Sequence, residues 1–231
     1  MLTLRRLLNA TLPAKVMLQI DLVRDRLWDF WHQVQTAGDV ELLSLTVVGL
    51  NRPHGVLYQA TSPGLAKKHL MQLDVDYQQY TFIDLGSGKG RVLLIASGFP
   101  FKAVIGVEFA DELHRIATEN IHTYRRSTVR CRSIECVKED AANFQYPPTP
   151  LVLYFHNPFG DPVMSSVVDN IQRSLDERPR DVRIICSGPM TRTDIVERLH
   201  GIQVVSRQSD EAFVVTYRID HPQSLIKGFS S

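Results

Sequence analysis

The 231-residue sequence predicts an α/β domain: a seven-stranded, mostly parallel sheet with one antiparallel strand in a C-terminal hairpin, helices on both faces, and a helical extension at the N-terminus. Three observations predict it. Short continuous apolar runs, at 81–85, 103–108 and 151–155 among others, have the length and unbroken hydrophobicity of strands buried on both faces. Stretches with apolar residues at helical spacing, such as Leu113, Ile116, Ala117 and Ile121, alternate with them. The first run is followed by glycines at alternate positions, Gly86, Gly88 and Gly90, and then by the helix-forming residues 92–96, an order that reads as strand, tight loop, helix.

Composition narrows the function classes. An apolar content of 44% can build a full core, and a formal net charge of +1 favours neither nucleic acid nor an anionic membrane. Cys131, Cys136 and Cys186 are odd in number and lack metal-ligand spacing, so free thiols in a reducing compartment and no metal site are expected. No apolar run reaches the ~20 residues of a membrane span. The start, Met1 to Leu8, lacks a signal-peptide core. A soluble cytoplasmic protein is expected.

In chain order, residues 1–55 form the extension and a loop. Leu4, Leu7 and Leu8, then Val16, Ile20, Val23, Leu27, Phe30, Trp31 and Val34, recur at helical spacing, with Pro13 dividing two helices. Asp21, Arg24, Asp25 and Asp29 fall on the other face, so the apolar stripe is expected to pack on the main domain; dimerisation or flanking an acceptor site are the other readings. The main domain spans 56–218. Its first helix is expected over 65–79, with Thr61 or Ser62 as N-cap. Arg125, Arg126, Arg130 and Arg132 make a small basic cluster in a loop. Later strands are expected at 133–137, 183–186, 202–208 and 212–218, with Asp161 and Thr191 capping the helices between them. Residues 219–231 form a tail that offers little to pack.

The glycine loop carries the chemistry. A dinucleotide fingerprint needs glycine or alanine where Arg91 stands, and a phosphate-binding P-loop needs Ser or Thr where Gly90 stands. What remains, Asp84-Leu85-Gly86-Ser87-Gly88-Lys89-Gly90, resembles the glycine loop of class I S-adenosylmethionine (SAM)-dependent methyltransferases, whose fold is Rossmann-like. The match continues through 105–109 (Ile-Gly-Val-Glu-Phe), Asp140 and Asn157. The segment around Tyr58, Thr61 and Ser62 resembles, more distantly, one in DOT-like histone lysine methyltransferases and related protein-lysine methyltransferases, with Ala60 in place of their proline.

The resemblance implies SAM as cofactor. It assigns cofactor contacts to Asp84, Leu85, Gly86, Ser87, Gly88, Gly90, Glu108, Phe109, Asp140, Ala141, Asn157 and Thr61. Glu108, eighteen positions past Gly90 at the end of the second strand, can accept hydrogen bonds from both ribose hydroxyls. Asp140 suits the adenine amine. His156-Asn157-Pro158-Phe159 closes the fourth strand, and similar segments of N-methyltransferases orient an acceptor nitrogen. Asn157, Phe159 and Tyr58 are therefore the expected catalytic residues. His156 reads either as a base or as a hydrogen-bonded structural residue. The implied activity is methyl transfer to an acceptor nitrogen, on a protein side chain, an RNA or a small molecule. A non-catalytic SAM-binding protein and a nucleotide oxidoreductase are the alternatives.

Overall fold

The computed structural model describes residues 14–38, 40, 60–124, 128–208 and 213–221. Tyr58, the helix expected before Pro13, the boundary at 55 and most of the tail lie outside these residues.

Among the described residues the first elements are α1 (Ala14–His32) and α2 (Pro63–Met71). There follow β1 (Thr81–Leu85), α3 (Arg91–Ser97), β2 (Ala103–Glu108), α4 (Asp111–Thr123), β3 (Ile134–Lys138), β4 (Leu151–His156), α5 (Asp161–Glu177), β5 (Val182–Ser187), the short α6 (Thr193–Val196), β6 (Gln203–Gln208) and β7 (Val214–Ile219). The sheet has the order β3-β2-β1-β4-β5-β7-β6. Strands β1 to β5 pair in parallel, and β7 runs antiparallel to both β5 and β6. The C-terminal hairpin thus inserts its second strand beside β5, and the fold is the predicted Rossmann-like α/β class.

Strand alternation feeds two cores. Ile83, Leu85, Leu153 and Phe155 meet Val163, Val167, Ile171 and Leu175 of α5 on one face. Phe82, Val152 and Tyr154 meet Leu70 of α2 and Val92, Leu93 and Ala96 of α3 on the other. The chain progresses outward from β1 in one direction and from β4 in the other, so the carboxyl ends of β1 and β4 flank the switch point where α/β sheets open a ligand crevice.

Several local expectations change. Helix α2 stops at Met71 rather than 79, with Gln72 as its C-cap, and the residues beyond turn, Asp76 Oδ1 accepting the Gln78 N–H (3.1 Å). Ser62 is its N-cap residue but makes no side-chain cap bond. Asp161 is the first residue of α5 rather than its cap, Gly160 taking that place. The largest change is in α1. Its apolar stripe faces outward, with Leu27 51% and Phe30 76% exposed, while Asp29 is 9% exposed against the domain.

Candidate active site

The glycine loop is built on backbone that side chains resist. Gly86 has φ +84°, and a Cβ there would stand 3.1 Å from Pro158 Cβ and 3.5 Å from Phe159 Cε1. The loop and the Asn-Pro-Phe segment, far apart in the chain, are therefore packed on each other. The N–H groups of Gly86 and Ser87 both donate to Val107 O (2.9 and 3.1 Å), which ties the loop to the end of β2.

Glu108 completes that end. Its side chain is 3% exposed; Oε2 accepts the Gly88 N–H (2.8 Å) and Oε1 the Ala110 N–H (2.9 Å). Burial raises its pKa, and the N–H groups of Ala110, Gly88 and Phe109 pull the other way. Asp84, at the end of β1, is equally buried; burial, then the nearby Glu108 charge, push its carboxyl up to about 8. Two buried acidic side chains beside a strand–loop–helix turn make a site whose ionised form a positively charged ligand would stabilise. A carboxylate offers about four acceptor positions. With three N–H groups around Glu108, a diol arriving there competes with at least one of them, and Gly88 sits on the loop.

Asp140 Oδ1 accepts the Ala142 N–H (2.9 Å), a turn that holds the carboxylate just past β3, and Ala141 is buried beside it. Phe109 packs against the buried Ala110 and Leu113, as does Val40. Thr61 is buried, and its carbonyl accepts from Arg91 Nη1 (3.3 Å). Phe159 is buried against the loop.

Asn157 adopts φ +46°, and its side chain is aimed differently from the expectation. Oδ1 accepts the Met190 N–H (2.8 Å), while the backbone N–H donates to Thr191 Oγ1 (2.9 Å). One lone pair of the oxygen expected to meet an acceptor therefore holds the 188–191 turn. Gly188, at φ +87°, makes room: a Cβ there would lie 2.4 Å from Asn157 Oδ1. Thr191, expected as a helix cap, instead donates to Ser187 O (2.6 Å) and leaves the N-cap place of α6 to Arg192. His156 lies beside Ser187 Oγ (Nδ1···Oγ 3.2 Å), and burial lowers its pKa to about 4, so the ring is neutral at physiological pH.

The residues that the sequence reading missed lie around Arg91. Its side chain, 2% exposed, pairs with Asp25 (2.7 Å), donates from Nε to Thr36 Oγ1 (2.6 Å), and sits 3.6 Å from Asp29 and over the Trp28 ring at 5.5 Å. Lys89 Nζ donates to Ala37 O (2.8 Å) and Gly38 O (3.1 Å). Asn120 of α4 bridges Lys89 O (2.9 Å) and the Gln35 N–H (2.8 Å). The one signal available was an arginine opening a helix whose next turns are apolar. A cavity of about 450 Å³ opens between α1 and the start of α2, lined by Asp21, Asp25, Trp28, Ala60, Ser62 and His156 among others.

This fold is that of the class I SAM-dependent methyltransferases. The chain superposes on the glycopeptide N-methyltransferase MtfA complexed with SAM with a TM-score of 0.51 at 10% identity, covering 71% of this chain and 96% of that one. For a SAM dependent methyltransferase from Aquifex aeolicus the TM-score is 0.50 at 17% identity, covering 67% and 89%. Residues 54–137 match the family profile described as Histone methylation protein DOT1. Over 62 residues, 26% of the chain, identity reaches 45% with the histone-lysine N-methyltransferase, H3 lysine-79 specific, of Drosophila melanogaster; the match spans 3% of that relative's length. Among the described residues no helix is long and apolar enough to cross a membrane.

Proposed function

We propose that this chain is a SAM-dependent methyltransferase whose acceptor is a nitrogen, with a protein lysine side chain as the favoured case. The observation that carries the reading is the Glu108 carboxylate, at the end of β2, on the Gly88 N–H of the loop whose Gly86 meets Pro158. The residues present fit the cofactor: Gly86 leaves backbone open where a Cβ would be crowded, and the Asp84–Glu108 pair is a buried acidic site for a cation. When bound, SAM supplies a methyl group on a sulfonium, already a good leaving group.

The chain's own part is binding, orientation and dryness. Glu108 holds the ribose hydroxyls, Asp140 the adenine amine, and Asp84 offsets positive charge. Aligned binding contributes about 7–11 kcal/mol to such a transfer. An amine must reach the site neutral. The neutral ring of His156 adds no positive charge that would oppose a cationic cofactor. Phe159 packs the wall, and Asn157, through what its bond to Met190 leaves, orients the acceptor. Tyr58, the remaining residue that the resemblance assigns to this role, lies outside the described residues. The lysine preference is supported by the histone-lysine relative over the matched segment only. The three cysteines are free, in keeping with the reducing cytoplasm we propose as location.

The engaged Asn157 oxygen favours a second reading, SAM binding without transfer. Calorimetric titration with SAM and with NAD tests the cofactor: binding of NAD but not SAM overturns the proposal. Labelled SAM with cell lysate tests transfer, and label found only in RNA or small molecules overturns the protein-nitrogen acceptor. Glu108→Ala is expected to lower SAM affinity at least tenfold, whereas Asn157→Ala spares affinity and lowers turnover.

A further inference from the structure

The glycine loop does not end at the cofactor crevice. Its two cations reach into the segment formed by α1 and residues 33–38. Lys89 holds the Ala37 and Gly38 carbonyls, and Arg91 holds Asp25, Thr36 and the Thr61 carbonyl. Asp29 in turn accepts from the Thr36 and Ala37 N–H groups (both 2.6 Å), so helix, turn and loop form one hydrogen-bonded body. Asp25 and Trp28, which contact the guanidinium on one side, also line the 450 Å³ cavity shared with Ser62 and His156. His156 is the neighbour of Asn157, so that cavity adjoins the acceptor side of the proposed site.

We infer that Arg91 is a positioning residue that couples ligand occupancy of the glycine loop to the placement of α1, and thereby to the shape of the cavity α1 walls. The inference rests on the SAM-binding reading above. Two features make the contact responsive rather than merely structural. Glu108 is already bonded to the Gly88 N–H, so a ligand hydroxyl on that carboxylate competes with a loop amide three residues from Arg91. Arg91 Nη2 is buried without a hydrogen bond, with Asp29 Oδ1 at 3.6 Å, so a shift of well under 1 Å at the loop closes or opens that contact. An arginine is needed: its planar fork reaches Asp25, Thr36 and Thr61 at once, and a lysine's single ammonium does not.

Trp28 reports the event. The sequence has two tryptophans, and Trp31 is 66% exposed, so Trp31→Phe leaves Trp28 as the sole tryptophan, excited selectively above the tyrosine band. In that background SAM is titrated by calorimetry and by tryptophan fluorescence, and the titration is repeated with Arg91→Lys and with Asp25→Asn. Saturating SAM is expected to shift Trp28 emission with the calorimetric dissociation constant. Both variants are expected to bind SAM about tenfold more weakly and to lose the shift while keeping a cooperative thermal transition. SAM bound calorimetrically with Trp28 unchanged overturns the coupling, and so does a full shift retained in Arg91→Lys. No SAM binding to the parent protein overturns the proposed function, and this inference with it.

Discussion

Helix α5 turns Val163, Val167, Ile171 and Leu175 into the core and leaves Asp169, Arg173 and Asp176 in solvent. Helix α1 carries apolar residues at a comparable spacing and does the reverse: Val23, Leu27, Phe30 and Trp31 are exposed, and Asp25, Trp28 and Asp29 face the domain. Amphipathic periodicity therefore identifies a helix without saying which face docks. The surface waiting opposite decides. Opposite α5 lies an apolar sheet face, and burial there is worth about 25 cal/mol per Å². Opposite α1 lies a guanidinium from the start of α3, 2% exposed beneath the helix, and a buried charge left uncompensated costs more than a few apolar contacts return.

Substitutions on the two helices and their partners sharpen that contrast. Arg91→Ala is expected to have the largest effect, about 3–5 kcal/mol of unfolding free energy, because Asp25 and Asp29 are left largely buried without their cation. Ile171→Ala on α5 comes next, at about 2–4 kcal/mol for a cavity in a filled core. Both are read from urea midpoints at constant m-value. A smaller effect is expected at the other end of the crevice. Gly188→Ala forces a strained φ and pushes a Cβ into the Asn157 amide, for about 1–3 kcal/mol and a loss of turnover with SAM affinity kept. Smallest is Leu27→Ser on the outer face of α1, within about 0.5 kcal/mol of the parent. If Leu27→Ser destabilised as much as Ile171→Ala, the two helices would dock alike and the contrast would be wrong.

The loop beneath α1 also carries a pH signature that α5 lacks. Asp84 holds its proton to about pH 8 in the folded chain but releases it near 4 when unfolded. The folded state then binds more protons across that window, so ligand-free stability falls as pH rises from about 4 to 8 and levels off above. Asp84→Asn is expected to flatten the thermal midpoint between pH 5 and 8. A cationic ligand favours the ionised pair, so SAM affinity rises over the same range and binding releases protons, visible as a buffer-dependent calorimetric enthalpy.

Much of the candidate site was legible because its parts are local. Asp84, the glycines and Glu108 sit at strand ends that apolar runs mark, and a strand end in a parallel sheet points at the crevice whatever the rest of the chain does. The Asn157 geometry was not legible. Its amide oxygen is taken by Met190, 33 residues on, and only the packed turn at Gly188 brings the two together. Thr191 and Asp161 read as caps by residue type, yet Thr191 is drawn to Ser187 and Asn157, and Asp161 to Arg192.

By itself the sequence determined the α/β class, the order of strands and helices, the glycine loop and the acidic residues around it. These follow from hydrophobic period and from glycine's backbone freedom, which act within a few residues. Only the tertiary structure decided that β7 inserts between β5 and β6, that the Asn-Pro-Phe segment closes on Gly86, and that α1 docks by its charged face. Each of those depends on groups far apart in the chain competing for the same space or the same buried charge, and no local pattern encodes the winner.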